Sequence, residues 1–204
     1  MGGESVFVAM DEAEQLARRL ADEILRSVGQ PELLVGLANG ALFPTKIAAE
    51  HLGVRYEMVK IRRQGSRIKQ RLQFLKKAFG IPGSIITSRP LAWFWRRFEH
   101  RYSGLEQAED AFNFGIDGRS IVIVDDEMVT GNSVRRVRSE LHARGGRELT
   151  IAVLNWYRGK GDSGSFAPDI FLAKEHRYFP WSNNSPYYRE FEAWLRANRL
   201  HLWR

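Results

Sequence analysis

Apolar residues recur at four-residue spacing through Leu16, Leu20, Ile24 and Val28, which predicts an amphipathic helix over Asp11–Val28. Asp11 with Glu14 resembles a capping box at its start, and Gly29 can end it. Leu33–Leu37 is a short apolar run that reads as a strand. Ala41–Leu52 follows as a helix, with Pro44 in its first turn, where proline is tolerated, and Gly53 as the stop. Val54–Ile61 returns to strand character. Ile121–Val124 is a continuous β-branched run, suited to a strand buried on both faces as in a parallel sheet. Val134–Ala143 carries Val134, Val137 and Leu141 on one stripe and predicts a helix. Leu149–Leu154 and Asp169–Ala173 predict two more strands. Pro186–Asn198 predicts a terminal helix whose apolar positions are Tyr187, Phe191, Trp194 and Leu195. Strands alternating with helices predict an α/β fold, a mainly parallel sheet flanked by helices.

One interruption breaks this order, at about 64–118. Ser66–Phe79 and Leu91–Tyr102 have helical patterns. Between Lys60 and Arg101 basic residues far outnumber the single acid, Glu99, and aromatics such as Trp93, Phe94, Trp95 and Phe98 are interleaved with them. That mixture suits nucleic acid. It suits equally an inserted helical subdomain whose rings pack on the body or a second subunit while the charges stay solvated. The second reading is preferred, because charged helix faces are usually simply wet.

Composition narrows the picture further. At 204 residues the expectation is a single domain over 1–204 with a sizeable core and room for that insertion. The absence of cysteine excludes disulfides, thiolate metal sites and a thiol nucleophile, and is compatible with a cytoplasmic location. No run approaches a membrane span, and no signal peptide is visible, so no membrane partner is expected. The net charge of +7 suits a polyanionic ligand.

The candidate chemistry lies after Ile121–Val124. The run ends in Asp125 and Asp126, followed by Glu127, Met128 and then Val129-Thr130-Gly131-Asn132-Ser133, where a helical pattern begins. In an open α/β sheet, ligands bind beyond the carboxyl ends of the strands. A small polar loop opening a helix can aim backbone N–H groups at a phosphate. Two carboxylates can accept hydrogen bonds from vicinal hydroxyls such as those of a ribose. At a strand's end their charges are expected to be wet until a ligand arrives. The combination predicts a ribose 5-phosphate site, while a plain strand-turn-helix with an acidic loop remains the bland alternative.

This stretch resembles the phosphoribosyl pyrophosphate (PRPP) motif of the type I phosphoribosyltransferases: a hydrophobic strand, two acids, three mostly apolar or small residues, then Thr-Gly-x-Ser/Thr. The resemblance extends from about Leu33 to Trp181, apart from the insertion. It implies a type I phosphoribosyltransferase-like fold, with a hood built from the N-terminus and about 174–204. It also implies transfer of the phosphoribosyl group of PRPP to a purine-like base with release of pyrophosphate. Asp125 and Asp126 would hold the ribose hydroxyls and Val129 to Ser133 the 5-phosphate. Ala38-Asn39-Gly40, at a second strand-loop-helix junction, falls where the family has its pyrophosphate loop, although the basic residue common there is missing. Lys60, Arg62 and Arg63, at the end of a strand, are placed to reach the diphosphate. Mg²⁺ is the implied cofactor, bridged by PRPP oxygens and water rather than by a protein metal site. A homo-oligomer is expected.

The hood pattern is nearest to purine- and xanthine-guanine-type members, which often end in an aromatic, a few residues, then Pro-Trp. Lys174-Glu175-His176-Arg177-Tyr178-Phe179-Pro180-Trp181 stands there, so His176, Tyr178 and Phe179 are candidates to stack on a base. Phe179 and Trp181 could equally pack the C-terminal segment onto the core. At the end of the strand Leu149–Leu154, Asn155 and Arg158 could bond a carbonyl, and Trp156 or Tyr157 could stack. In many 6-oxopurine enzymes of the family an aspartate precedes the Thr-Gly. Val129 stands there instead and can neither take nor give a proton. The implied base is therefore one that arrives ready as a nitrogen nucleophile. The rival readings are a non-catalytic PRPP-sensing or RNA-binding regulator on the same fold, and an unrelated α/β phosphate-binding enzyme.

Overall fold

The structure is a computed structural model and describes residues 6–60, 112–157 and 166–203. The chain divides into two units, Met1–Lys60 with Asn113–Arg204 and Ile61–Phe112; the account that follows is of the first. The predicted helices at Ser66–Phe79 and Leu91–Tyr102 lie outside the described residues.

In chain order the elements are β1 (Val6–Phe7), α1 (Met10–Val28), β2 (Leu33–Leu37), α2 (Leu42–Leu52) and β3 (Arg55–Val59). Then come β4 (Ser120–Met128), α3 (Asn132–Ala143), β5 (Glu148–Trp156), β6 (Ile170–Ala173), β7 (Arg177–Tyr178) and α4 (Tyr188–Ala197). The main sheet has the order β3-β2-β4-β5-β6, and every pairing in it is parallel. The predicted α/β class therefore holds. From β2 the chain winds one way to β3; from β4 it winds the opposite way to β5. Right-handed crossovers then put α2 and α3 on opposite faces. The carboxyl ends of β2 and β4 flank the switch point, where an open α/β sheet binds ligands.

Burial follows this layering. All five residues of β2 are buried, as are Ile121 to Val124 of β4. One face packs on α1 and α2 in a cluster that includes Leu20, Ile24, Phe43, Ile47, Val122, Val124 and Leu154. On the other, α3 buries Val134, Val137 and Leu141. A two-stranded parallel sheet, β1 with β7, ties the N-terminal segment to the region after β6.

Several boundaries differ from the expected ones for physical reasons. β4 runs on through Asp125, Asp126 and Glu127 to Met128, because β5 continues to pair with it as far as Met128 with Trp156. The capping box at Asp11 does not form. Ala9 is the N-cap and no side chain caps the helix, leaving Asp11 and Glu12 in the first turn, where they complement the helix dipole. α3 starts at Asn132, so Asn132 and Ser133 belong to the helix's first turn rather than to the loop. Among the described residues, no helix is long and apolar enough to cross a membrane.

Candidate functional site

The acidic end of β4 is anchored by its own hydrogen bonds. The Asp126 backbone N–H donates to Asp125 Oδ1 (3.0 Å), and the Glu127 N–H donates to Asp126 Oδ1 (2.9 Å). The indole Nε1–H of Trp181 donates to Asp126 Oδ2 at 2.6 Å. Charge-assisted bonds of this kind are the stronger ones. The expectation of wet, unengaged acids is therefore corrected. Asp125, Asp126 and Glu127 are all half-buried, and both oxygens of Asp126 accept hydrogen bonds.

After Met128 the chain turns through Val129 and Thr130, both exposed, to Gly131. Gly131 has φ 70° and is the N-cap of α3. That left-handed conformation disfavours residues with a Cβ. No side chain caps this helix, so its first N–H groups remain available to an anion. Phe166 packs on the same loop: a Cβ on Gly131 would lie 3.2 Å from its ring. The Arg135 and Arg138 guanidinium groups stand 5.1 and 5.8 Å from the centre of that ring. The loop thus has cations beside it although its own sequence carries none.

The junction of β2 and α2 turns by a different device. Ala38 takes φ 60° in a chain where only Ala38 and Arg199, among the described non-glycine residues, have positive φ. Its N–H is tied to Val59 O at 2.8 Å. A non-glycine residue held there stores on the order of 1 kcal/mol or more, and such strain clusters at ligand sites. Gly40 then passes against the acidic strand: a Cβ on it would lie 2.6 Å from Asp126 Oδ2. The β2–α2 loop therefore meets the acidic end of β4 at Asp126. Asn39 clasps the C-terminal segment, donating to Trp203 O (2.9 Å) and accepting from Trp203 N–H (3.0 Å). Lys60 Nζ lies 6.0 Å from the centre of the Trp203 ring. Arg62, Arg63 and Arg158 lie outside the described residues.

The hood residues separate into two groups. Phe179 is 3% exposed and stacks on Trp181, with ring centroids 4.9 Å apart and planes 6° apart. Trp181 also stacks with Phe43 and meets Phe191 edge-on. Phe179 thus sits in the core, as the packing alternative expected. Its ring faces are taken up there, so it is withdrawn as a base-stacking candidate. His176 stands apart, exposed, with Nδ1 2.6 Å from Glu127 Oε1. Its ring is 4.8 Å from Tyr178 and 6.0 Å from Tyr157. Tyr178 stacks in turn on Phe7 of β1. Trp156 meets Phe171 edge-on at 5.1 Å, and Lys174 Nζ lies 5.3 Å from its ring centre.

Two pairings escape a reading of the sequence, while a third participant, Asn155, was already a candidate there. Glu127 falls among the variable positions of the motif, yet it reaches His176. Trp181 bonds an acid 55 positions away. Asn155 is 1% exposed, pairs with Glu127 in the β4–β5 ladder, and its Nδ2 has no hydrogen-bond partner. Asn155 was legible as a polar residue closing an apolar strand; the pairings of Glu127 and Trp181 carry no local signal.

Comparison with known proteins points to one family and fold. A family model described as a phosphoribosyl transferase domain matches residues 7–189. The chain is 27% identical over 170 residues to an orotate phosphoribosyltransferase of Phenylobacterium zucineum (strain HLK1), covering 83% of this chain and 66% of that protein. An orotate phosphoribosyltransferase of Bartonella tribocorum (strain CIP 105476 / IBS 506) is 29% identical over 171 residues, with the same coverage. The chain thus spans 66% of the length of these curated relatives. Among solved structures, a purine phosphoribosyltransferase from Pyrococcus horikoshii Ot3 shares the fold with a TM-score of 0.58 and 17% identity, over 89% of this chain and 96% of that one. A hypothetical protein from Neisseria gonorrhoeae with bound ppGpp has a TM-score of 0.59 and 13% identity, over 98% and 99%.

Proposed function

We propose the following for this chain, which belongs to the phosphoribosyltransferase family: it transfers the 5-phosphoribosyl group of PRPP to a ring nitrogen of a flat, purine-like heterocycle and releases pyrophosphate. The observation that carries the reading is the approach of Gly40 to Asp126, which brings the two strand-loop-helix junctions to one carboxylate at the sheet's switch point. One junction serves the diphosphate and the other the 5-phosphate, with the acids between them for the sugar hydroxyls.

Each residue then has a task. Asp125 and Asp126 accept hydrogen bonds from the ribose hydroxyls, and Trp181 holds Asp126 in orientation. The first turn of α3, from Gly131 through Asn132 and Ser133, receives the 5-phosphate with backbone N–H groups and the positive end of the helix dipole. Arg135 and Arg138 add positive charge beside it. The loop Ala38-Asn39-Gly40 receives the diphosphate, with Lys60 nearby. The transferred carbon passes through a cation-like state, so catalysis comes from positioning and from stabilising the departing charge. A Mg²⁺ ion would rest on substrate oxygens and water near the acids rather than on a protein metal site, because both Asp126 oxygens already accept hydrogen bonds. When bound, the ion neutralises charge on the leaving diphosphate.

For the acceptor, the names of the relatives divide between orotate and purines. The exposed rings of His176 and Tyr157, with half-buried Tyr178 beside His176, support a flat base. The test is pyrophosphate release with PRPP and Mg²⁺ across adenine, guanine, hypoxanthine, xanthine, uracil and orotate. Release that requires both PRPP and one of these bases supports the reading. No release with any base, together with no thermal stabilisation by PRPP, overturns it, because a ligand that binds the native state must raise its melting temperature.

A further inference from the structure

Phosphoribosyl transfer to a neutral base leaves one proton in excess. The nitrogen that forms the new bond begins as N–H or becomes N–H⁺, and the proton must leave. Val129, in the phosphate loop, cannot take it. Asp125 and Asp126 are assigned to the sugar in the reading above, and Asp126 already accepts from an indole and an amide. A different pair of side chains stands at the same end of the sheet, one residue further along β4.

Glu127 Oε1 lies 2.6 Å from His176 Nδ1. A carboxylate oxygen only accepts, so the bond requires hydrogen on Nδ1. In the neutral ring that leaves the lone pair on Nε2. The Glu127 side chain is 23% exposed and that of His176 44%, so the acid sits deeper and the ring faces outward. A half-buried acceptor that fixes the tautomer of a more exposed imidazole is the arrangement of a general base with its orienting group. The surroundings point to a ligand independently. Asn155, the ladder partner of Glu127, has its Nδ2 buried and unpartnered. A buried donor without a partner costs about 1–3 kcal/mol, which a ring carbonyl or nitrogen acceptor would recover.

We propose that Glu127 and His176 form the proton-accepting pair of the base subsite, with Asn155 beside them as the donor that reads an acceptor atom on the ring. This rests on the transfer reading above. The acceptor class it selects is a heterocycle that has both a ring N–H nucleophile and a ring carbonyl or imine acceptor. The ring nitrogen bonds to C1 of the ribose as the C1–O bond to diphosphate breaks, its electron pair leaving with the diphosphate. The proton on that nitrogen passes to His176 Nε2. Glu127 balances the imidazolium, which then returns its proton to water. The sequence implied a base that arrives ready to attack; this pair makes that requirement unnecessary.

The experiment follows turnover of the best base against pH for the unmodified chain, His176→Gln and Glu127→Gln, with PRPP stabilisation measured on each. Among the described residues, the charged and titratable groups around the ring are Glu127 on β4, Tyr157 after β5 and Tyr178 on β7, with Lys174, Glu175 and Arg177 on its own segment; Glu175 is paired with Arg177. His176→Gln is expected to lower kcat by about a hundredfold, the usual size of general-base help, with stabilisation by PRPP retained. Glu127→Gln keeps an acceptor for Nδ1 but removes the counter-charge of the imidazolium. The acid limb of the rate profile should therefore move to lower pH. A ring that only stacks on the base would leave that limb in place. If the unmodified chain releases pyrophosphate and either His176→Gln turns over within about twofold of it or the acid limb stays fixed in Glu127→Gln, this proposal is overturned alone. If the unmodified chain neither releases pyrophosphate nor is stabilised by PRPP, the transfer reading fails and takes this one with it.

Discussion

The two strand-loop-helix junctions use the same parts in opposite ways. At β2–α2 the helix is buried along most of its length, the turn rests on strained Ala38, and Asn39 is clasped by Trp203. At β4–α3 the helix buries only Val134, Val137 and Leu141, the turn rests on Gly131, and Val129 and Thr130 stand in solvent. The first junction is held by tight packing, the second by a permitted backbone conformation. A loop held by packing is preorganised, so it gives up little entropy on binding. A loop held mainly by φ, with two residues in solvent, can adjust to its ligand. A change that respects one constraint should therefore fail at the other.

The sharpest break is at Gly40. Any Cβ there meets the Asp126 carboxylate at 2.6 Å, and no rotamer of the new residue relieves it. Gly40→Val should weaken PRPP binding by about a hundredfold, some 2.7 kcal/mol, as read by titration calorimetry; binding within threefold of the unmodified chain would show that the close approach of Gly40 to Asp126 is not needed. Next comes the carboxylate that Gly40 approaches. Asp125→Asn with Asp126→Asn should cost at least about tenfold in PRPP affinity, from the loss of charge-assisted bonds. Because Trp181 donates to Asp126, it should also lower stability by about 1 kcal/mol in urea unfolding. No loss of affinity in that double variant would remove the sugar from this pair.

At Gly131 the first constraint is φ 70°, with Phe166 and Met128 also close to any added Cβ. Gly131→Ala should destabilise the chain by about 1 kcal/mol, whereas Gly131→Asn, which tolerates that region, should recover part of it. Equal melting temperatures for the two variants would contradict a conformational origin. The smallest effect belongs to the clasp. Asn39→Ala removes two half-exposed hydrogen bonds and should cost no more than about 1 kcal/mol. Faster exchange of the Trp203 amide would report it, and unchanged exchange would mean the clasp is idle.

The contrast also marks what could be read in advance. The run Ile121–Val124 and the stripe of α3 announce themselves, since burial on both faces and helical period are local properties. The end of β4 was missed because the signal is alternation of side chains, and three consecutive acids mask it; pairing with β5 decides the matter instead. β1 and β7 are two residues each, too short for any period. The capping box failed because Met10 already begins the helix and puts Asp11 inside it. Phe179 and His176 belong to one aromatic run in the sequence, and only the fold buries one and presents the other. The Glu127–His176 and Trp181–Asp126 pairs join distant segments, and no single stretch encodes them.

Trp181 touches more than an acid. Its ring lies among Phe43 of α2, Phe179 and Phe191 of α4, and Phe43 also meets Trp194 of α4. The indole N–H therefore links the orientation of Asp126 to the seating of the C-terminal helix. Linkage makes such a connection reciprocal: whatever ligand favours the bonded carboxylate must favour the docked helix by the same free energy. The amides of α4, which contact no substrate in the reading above, should then exchange more slowly with deuterium when PRPP is bound. The chemistry of the sugar would be written in the breathing of a helix at the far end of the chain.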